Sequence, residues 1–438
     1  MARPRYKITE IGEIPQEWEI SKLSKIFKIF TGTTPSTKIG KYWYNGSVEW
    51  LTPKDLSRMA DTIILPPSER KITPEAVKQF GLNLIPEESI LISTRAPVGY
   101  VGINKIKITF NQGCKGLVPI EHGSNDSSFY AYYLKYIRNF LVSVSGGSTF
   151  KELSKERLAS LDVPIPPLSE QQKIAEILST ADYAIQRVDE QITLSESLKK
   201  GLMQTLLTKG IGHTKFKMTE IGEIPEEWEV KNLIDLVDNN KDIVGGPFGS
   251  NLKVSDYKTE GVPIIRLQNV ERNMFIDKDI KYISFQKADE LKYHSFKTGD
   301  ILLAKLGDPI GKSCIVPEKM ASGIVVADVV RIRISPKKAV KEFVLHLLNS
   351  SLCIEQLRNQ VIGSTRPRVN ITEVRELKII CPKHKEQQKI AEILLTVDKK
   401  LEHLKGRRDH LEKLKKVLMN DLLNGKVRVK IEPSRREN

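Results

Sequence analysis

The clearest periodicity in the chain is a seven-residue one, and it occurs twice. Ile390, Val397, Leu404, Leu411 and Leu418 fall seven apart, with Leu394, Leu401 and Leu422 on the companion seam position. A shift of 216 residues lands on Ile174, Ala181, Val188, Ser195 and Leu202, with Leu178, Ile185, Ile192 and Leu206 beside them. Sustained apolar heptads predict long helices that pair along a narrow stripe. Lys199, Arg408 and Lys415 interrupt that stripe. Leu198 and Leu414, one residue before the lysines, are placed to take over the seam. Ser169 ahead of Glu170-Gln171-Gln172 reads as an N-cap with a capping-box glutamine, and Gly210 and Gly425 read as helix stops. Each helix spans about 40 residues, hence roughly 60 Å. The short connection Ile211 to Phe216 favours an antiparallel pair over helices in separate bundles.

Outside these stretches the pattern is one of short apolar runs between Gly, Pro and Asn turns. Ser89 to Ser93, Gly299 to Ala304 and Val329 to Ile334 predict strands, and Phe129 to Leu141 and Val340 to Leu348 predict helices. Self-similarity extends to these regions. Lys7 to Ile20 and Lys217 to Val230 agree at 11 of 14 positions, Glu170 to Leu178 repeats unchanged at Glu386 to Leu394, and Gly147-Ser148-Thr149 returns as Gly363-Ser364-Thr365. A period near 210 residues is far beyond a solenoid repeat of roughly 20–50, so the chain is a duplicated domain. The ends of the two copies match while their interiors differ. The expected fold is α+β: two duplicated mixed α/β globular domains separated by a pair of long antiparallel coiled-coil helices. The lobes occupy 1–167 and 211–381, the helices 168–210 and 382–425, and a basic tail 426–438.

Charge changes the picture of what the lobes do. The 438 residues carry 69 Lys and Arg against 54 Asp and Glu, a net charge of +15. Residues 169–210 sum to −1 and residues 384–424 to +3, which leaves +13 for the lobes and connecting segments. A membrane-surface helix would concentrate its bases on the helix instead. Bases among Tyr, Trp, Asn and Gln in loops suit a duplex, where cations neutralise phosphates and amides read base edges. A Lys-rich thermostable protein with no nucleic-acid role would show the same surplus. The four cysteines (Cys114, Cys314, Cys353, Cys381) are scattered and fit reduced, buried positions in a cytoplasmic protein. No run is long and apolar enough for a membrane span, and the first residues lack a signal-peptide core.

Catalytic motifs do not appear. Gly307 to Ser313 imitates a phosphate-binding loop but has Leu306 where the first glycine belongs and Pro309 where an amide is needed. There is no methyltransferase Asn/Asp-Pro-Pro-aromatic tetrapeptide, no Pro-Asp to begin a nuclease motif and no paired zinc spacing among seven histidines. His384, His403 and His410 fall on the second helix as solvated residues.

The duplicated arrangement resembles the specificity subunit of type I restriction-modification enzymes. The likeness is carried by Gly12-Glu-Ile-Pro15 with Trp18, Thr31 to Ser36, Tyr42 to Trp50, Ile90 to Gly99, Gly147 to Thr149 and Val163 to Gln172. In the second copy it rests on Gly222 to Pro225, Gly246 to Ser250, Val262 to Arg266, Gly299 to Leu303, Gly363 to Thr365 and Glu386 to Gln388. The resemblance implies that each lobe is a target recognition domain reading one half of a split double-stranded DNA site. It implies helices that set the gap and dock two methyltransferase (M) subunits, with restriction (R) subunits joining them. It also implies a non-catalytic chain without cofactors, S-adenosylmethionine, ATP and Mg²⁺ being expected on partner subunits. Two alternatives from other classes stand beside it: a coiled-coil scaffold joining two protein ligands, and a fused methylase-specificity enzyme.

Candidate DNA contacts follow from loop position and residue type. Arg95 sits in a Gly/Pro loop after an apolar run and suits a bidentate contact to guanine; a surface salt bridge would use it equally well. Lys305 is its rough counterpart in the second lobe. Gln112 and Lys115 flank a turn at Gly113. Ser148, Thr149 and Lys151 follow two glycines whose amides can approach a phosphate, and the same residues could cap the next helix. Arg266, Gln268 and Asn269 form one cluster of readers, and Arg366, Arg368 and Asn370 another. Tyr42, Trp43 and Tyr44 suit either sugar packing or a roof over the core, with Trp43 the best core residue. Gln171, Gln172, Gln387 and Gln388, at matching helix starts, are expected to dock partner subunits unless they only cap.

Overall fold

The computed structural model describes residues 5–59, 62–121, 123–146, 151–247, 249, 251–360 and 367–430. It divides into two compact units, one formed by residues 1–191 with 404–438 and the other by 192–403. The boundaries fall inside the two long helices, Leu168–Leu206 and His384–Leu423. Each unit therefore owns one lobe, half of one helix and the opposite half of the other.

Each lobe opens on a tight hairpin, Tyr6–Thr9 with Gly12–Pro15 in the first and Phe216–Thr219 with Gly222–Pro225 in the second. The turns need the same backbone, with Gly12 and Gly222 both at φ +108°, where a side chain would be strained. Beyond the hairpin the lobes share a topology. The first has an antiparallel sheet in the order Phe27–Thr31, Cys114–Pro119, Ile90–Ser93, Val101–Ile103. The second has Ile243–Gly245, Val329–Ile332, Ile301–Ala304, Ser313–Ile315 in the same order. The central strands Ile90–Ser93 and Ile301–Ala304 are buried at every residue, which explains their uninterrupted apolar runs. A second sheet stands beside each, three-stranded in the first lobe and four-stranded in the second. In the first lobe Val48–Leu51 pairs parallel with Thr109–Phe110, and in the second Val262–Ile265 pairs parallel with Ser322–Val325. The run from Phe129 forms two helices, Ser127–Tyr136 and Arg138–Ser143, and the later one forms Lys341–Leu348.

The long helices complete the cores of the lobes. Ile174 and Leu178 from one helix and Leu422 and Leu423 from the other join Trp18, Leu23 and Phe129 in the first core. Leu206 and Leu207 join Ile390 and Leu394 around Trp228 and Phe343 in the second. Within each unit the two helix halves run antiparallel, because the start of one and the end of the other cover the same lobe. The helices end at Leu206 and Leu423, and the turn that follows each carries a glycine with φ +66°, Gly210 and Gly425. A Cβ on Gly425 would lie 2.4 Å from Pro15, and one on Gly210 would lie 2.5 Å from Trp228. These glycines thus serve the turn and the close approach of the lobe together.

Two sequence expectations about the helices are corrected. The first helix begins at Leu168, and the amides of Glu170 and Gln171 bond to the Pro167 carbonyl, so Ser169 is inside the helix and not its cap. Leu198 and Leu414 do not take over the seam. They are 53% and 45% exposed, while Lys415 is buried. The lysines stay in because each has an acid across from it: Lys415 pairs with Asp182, which also accepts from the Tyr132 hydroxyl at 2.7 Å, and Lys199 pairs with Asp398. A buried charge is tolerable when it is paired and hydrogen-bonded.

His346 sits beside the second of these pairs, wholly buried, with Nε2 3.8 Å from Asp398 Oδ2 and Lys199 held on the same carboxylate. Burial lowers its pKa from 6.5 to about 4, against the pull of Asp398. The unfolded chain therefore takes up this proton first as pH falls. Stability contributed by the neutral imidazole is present above pH 6.5 and is lost as pH falls through that value toward 4. Denaturant melts between pH 4 and 7 are expected to show a shallower pH slope in His346→Leu than in the unaltered chain.

Candidate nucleic-acid interface

Hydrogen bonding gathers most of the first lobe's candidates at one end of its four-stranded sheet. The chain leaves Ile90–Ser93 at Thr94 and Arg95, whose amides both bond to the Gly113 carbonyl, at 2.7 and 3.2 Å. The Leu153 amide then bonds back to the Thr94 carbonyl at 2.8 Å. Arg95, the turn at Gln112 and Gly113, Lys115 and the segment Lys151-Glu152 thereby become neighbours. Arg95 is exposed and holds Glu152, Nε to Oε1, at 3.0 Å. Gln112 is exposed and accepts from the Thr34 hydroxyl. Lys151 is exposed. Lys115 is only 4% exposed, and its Nζ reaches the Gln112 carbonyl at 3.4 Å. Burial pulls the Lys115 pKa down, opposed by Glu152 and helped by Arg95. Ser148 and Thr149 lie outside the described residues.

The second lobe builds the same corner with different side chains. Here the Lys305 amide bonds to the Asp328 carbonyl at 3.0 Å, and the Val369 amide returns to the Lys305 carbonyl at 3.1 Å. Lys305 thus occupies the position of Thr94, and Leu306, bridged to Arg368 as Arg95 is bridged to Glu152, occupies that of Arg95. The expected equivalence of Lys305 and Arg95 is off by one residue. Arg368 binds Asp328, and the burial of Lys305 together with the nearby Arg368 charge lowers the lysine's pKa, against the pull of Asp328. Each corner therefore holds one exposed arginine on one carboxylate, yet the acid comes from a different segment in each lobe. The Glu152 position of one lobe is the Arg368 position of the other. Asn370 is exposed at the corner and caps the helix Ile371–Arg375 through Glu373, its amide donating at 2.6 Å. Arg366 lies outside the described residues.

The third cluster disperses. Asn269 is fully buried, and its Nδ2 donates to the carbonyls of Ile276 and Lys278 at 3.0 Å each while its Oδ1 accepts from the Arg266 amide at 3.0 Å. It organises the loop after Val262–Ile265 and cannot reach a ligand. Asp55, which accepts from the Thr52 amide, plays the same part in the first lobe. Arg266 is half-buried and donates to the Asp279 carbonyl at 2.5 Å, and Gln268 remains exposed.

Two docking candidates are also redirected inward. Gln171 is buried, accepting from the Asp126 amide and donating to the Pro166 carbonyl. Gln387 does the same with Val340 and Pro382. Both tie the helix start to its lobe, while Gln172 and Gln388 are exposed. Sequence reasoning missed Arg70, whose guanidinium lies 3.7 Å over the Trp43 ring, leaving Tyr44 78% exposed beside a packed Tyr42. It also missed the acids Glu152 and Asp328. The opposite charges at two positions 216 apart, Glu152 and Arg368, were the available signal. The phosphate-loop imitation resolves as a link into the strand Ser313–Ile315, with Lys312 held by Glu271 at 2.7 Å, and no helix follows it.

A family model described as the type I restriction modification DNA specificity domain matches residues 15–195 and 225–413. The chain belongs to this family. The type I restriction enzyme MjaIX specificity subunit of Methanocaldococcus jannaschii is 30% identical over 97% of this chain and 96% of its own. The EcoKI specificity subunit of Escherichia coli is 20% identical over 92% and 85%. Among solved structures, the S subunit of a type I system from M. genitalium shares the fold with a TM-score of 0.60 at 15% identity, over 96% of this chain and 98% of that one. Among the described residues no helix is long and apolar enough to cross a membrane, and no cluster of three or more His, Cys, Asp or Glu could hold a metal.

In this member of the specificity family the buried Asn269 gives a direct check on the corrected role. Asn269→Ala is expected to cost about 1–3 kcal/mol in denaturant unfolding, since it leaves buried backbone groups unpaired. Gln268→Ala should stay within about 0.5 kcal/mol.

Proposed function

We propose that this chain is the sequence-reading, non-catalytic subunit of a type I restriction-modification complex, with one half of a bipartite duplex site read by each lobe. The observation that carries the reading is the pair of equivalent corners, Arg95 with Glu152 and Arg368 with Asp328, built on one backbone frame with different side chains. A shared frame with altered readers is what two lobes need to address unlike half-sites in the same orientation. A half-exposed arginine held by a carboxylate is oriented before it meets guanine. The +13 carried outside the helices supplies the phosphate attraction. In this reading the helices set the gap between half-sites, and S-adenosylmethionine, ATP and Mg²⁺ act on the partner subunits.

Docking of methyltransferase subunits fits the exposed apolar residues of the helices better than the glutamines. Leu198 and Leu414 are equivalent under the 216-residue shift, both outside the seam, and Ile393 and Val417 are exposed on the second helix as well. Loss of co-purification of one methyltransferase copy is expected for Leu198→Glu, and of both for Leu198→Glu with Leu414→Glu. Retention of both copies by the double variant would remove the docking assignment.

Genome-wide mapping of methylated adenines, on co-expression with the methyltransferase, tests the reading as a whole. Arg95→Ala and Arg368→Ala are expected to relax one position each, in different half-sites. Each such contact discriminates by about 1–3 kcal/mol. Seven residues added to both helices at matched positions should lengthen the unread gap and leave the half-sites intact, because each helix is anchored at its two ends. Unchanged gaps with altered half-sites would overturn the spacing role.

A further inference from the structure

The interhelical ion pairs follow one arithmetic. In the first unit Asp182 meets Lys415 and Asp189 meets Arg408, and in the second Lys199 meets Asp398. In every pair the two residue numbers total 597. The outer two pairs are copies of each other under the 216-residue shift. The Asp189–Arg408 pair, at 2.5 Å with Arg408 also on Glu412, is not, because the shifted positions hold Ile192 and Lys405.

This inequality matters because duplication makes each helix complementary to itself. Two copies of the first helix, aligned antiparallel on the same ladder, would bring Asp182 opposite Lys199 twice. They would also set Asp189, half-exposed beside Arg408 in the native pair, against the apolar Ile192 twice. Two copies of the second helix would match Asp398 with Lys415 twice, and would set Lys405 against Arg408 twice. An acid set against an apolar side chain instead of its arginine and an apposed pair of cations both cost stability. Parallel alignment is worse, since it opposes Asp182 to Asp398 and Lys199 to Lys415. Only the unlike helices, antiparallel, gain the central Asp189–Arg408 pair.

We infer that Asp189, Lys405 and Arg408 are pairing-specificity residues: they make the two unlike helices of one chain better partners for each other than either is for its copy in a second chain. A duplicated gene starts with helices that cannot tell self from partner, and a few charges at the centre of the seam remove that ambiguity. One pair then carries two different lobes instead of two alike. This goes beyond the DNA-reading proposal and does not depend on it.

The test uses the full-length chain and light scattering after size exclusion across a concentration series. Lys405→Asp keeps both members of the Asp189–Arg408 pair in the chain and gives the second helix a complement to itself at positions 405 and 408. A concentration-dependent dimer is expected for it, and a smaller dimer fraction or none for Lys405→Ala. Arg408→Asp should dimerise more strongly still, since it breaks the internal pair as well, and adding Asp189→Lys should return it toward monomer. Monomeric Lys405→Asp and Arg408→Asp at every concentration would overturn the inference. So would equal dimerisation of Lys405→Asp and Lys405→Ala, which would trace association to lost contacts instead of charge. Should Arg408→Asp fail to fold, the exposed Lys405 variants still decide the question.

Discussion

Glu170 is 1% exposed and accepts from the Trp18 indole at 2.9 Å and from Arg428 at 2.7 and 2.9 Å. Glu386 accepts from the Trp228 indole at 3.0 Å, from the Ile211 amide at 2.9 Å and meets His213 at 2.9 Å. A buried carboxylate with this many donors is stable only where all of them arrive together. In each unit the donors come from the opening hairpin of the lobe and from the segment that follows the other long helix. One side chain thus ties lobe, helix start and helix end, and the glycines Gly210 and Gly425 let the indole close in. The second unit uses a histidine where the first uses an arginine, so the same knot is made with different side chains.

The consequence for the lobes is mechanical. Because the frame is anchored by repeated residues, the interior strands are free to differ. Strand order in the four-stranded sheet they share and the parallel pairing in the second sheet persist across the two lobes although few residues do. The corners at Arg95 and Arg368 show how far this goes, with the arginine moved to the acid's position and its carboxylate drawn from a third segment while the backbone bonds stay.

Helix length and the buried strands were legible in the sequence because both rest on local periodicity, and the duplicated architecture because the ends of the two copies match. The exchange of Gln171 and Gln387 from surface to interior was not, since capping and docking use the same residue type and only the neighbouring lobe decides between them. The seam failed for a related reason. A lysine on an apolar stripe reads as an interruption until its aspartate, more than 200 residues away in the case of Lys415 and Asp182, is known to face it. Asn269 looked like a reader because amides near arginine suit base edges. The loop's own carbonyls claimed it first. The exposure of Arg95 was legible, since a long cation after a fully apolar strand must leave the core.

The first unit is assembled from both chain termini, whereas the second is one continuous stretch from 192 to 403. During synthesis the second unit holds all its parts once residue 403 has cleared the ribosome. The first, although its lobe is made earliest, waits for Leu422, Leu423 and Arg428 to complete its core and neutralise Glu170. The lobe translated first is thus the last to be finished, and until then its buried indole and carboxylate lie open to water.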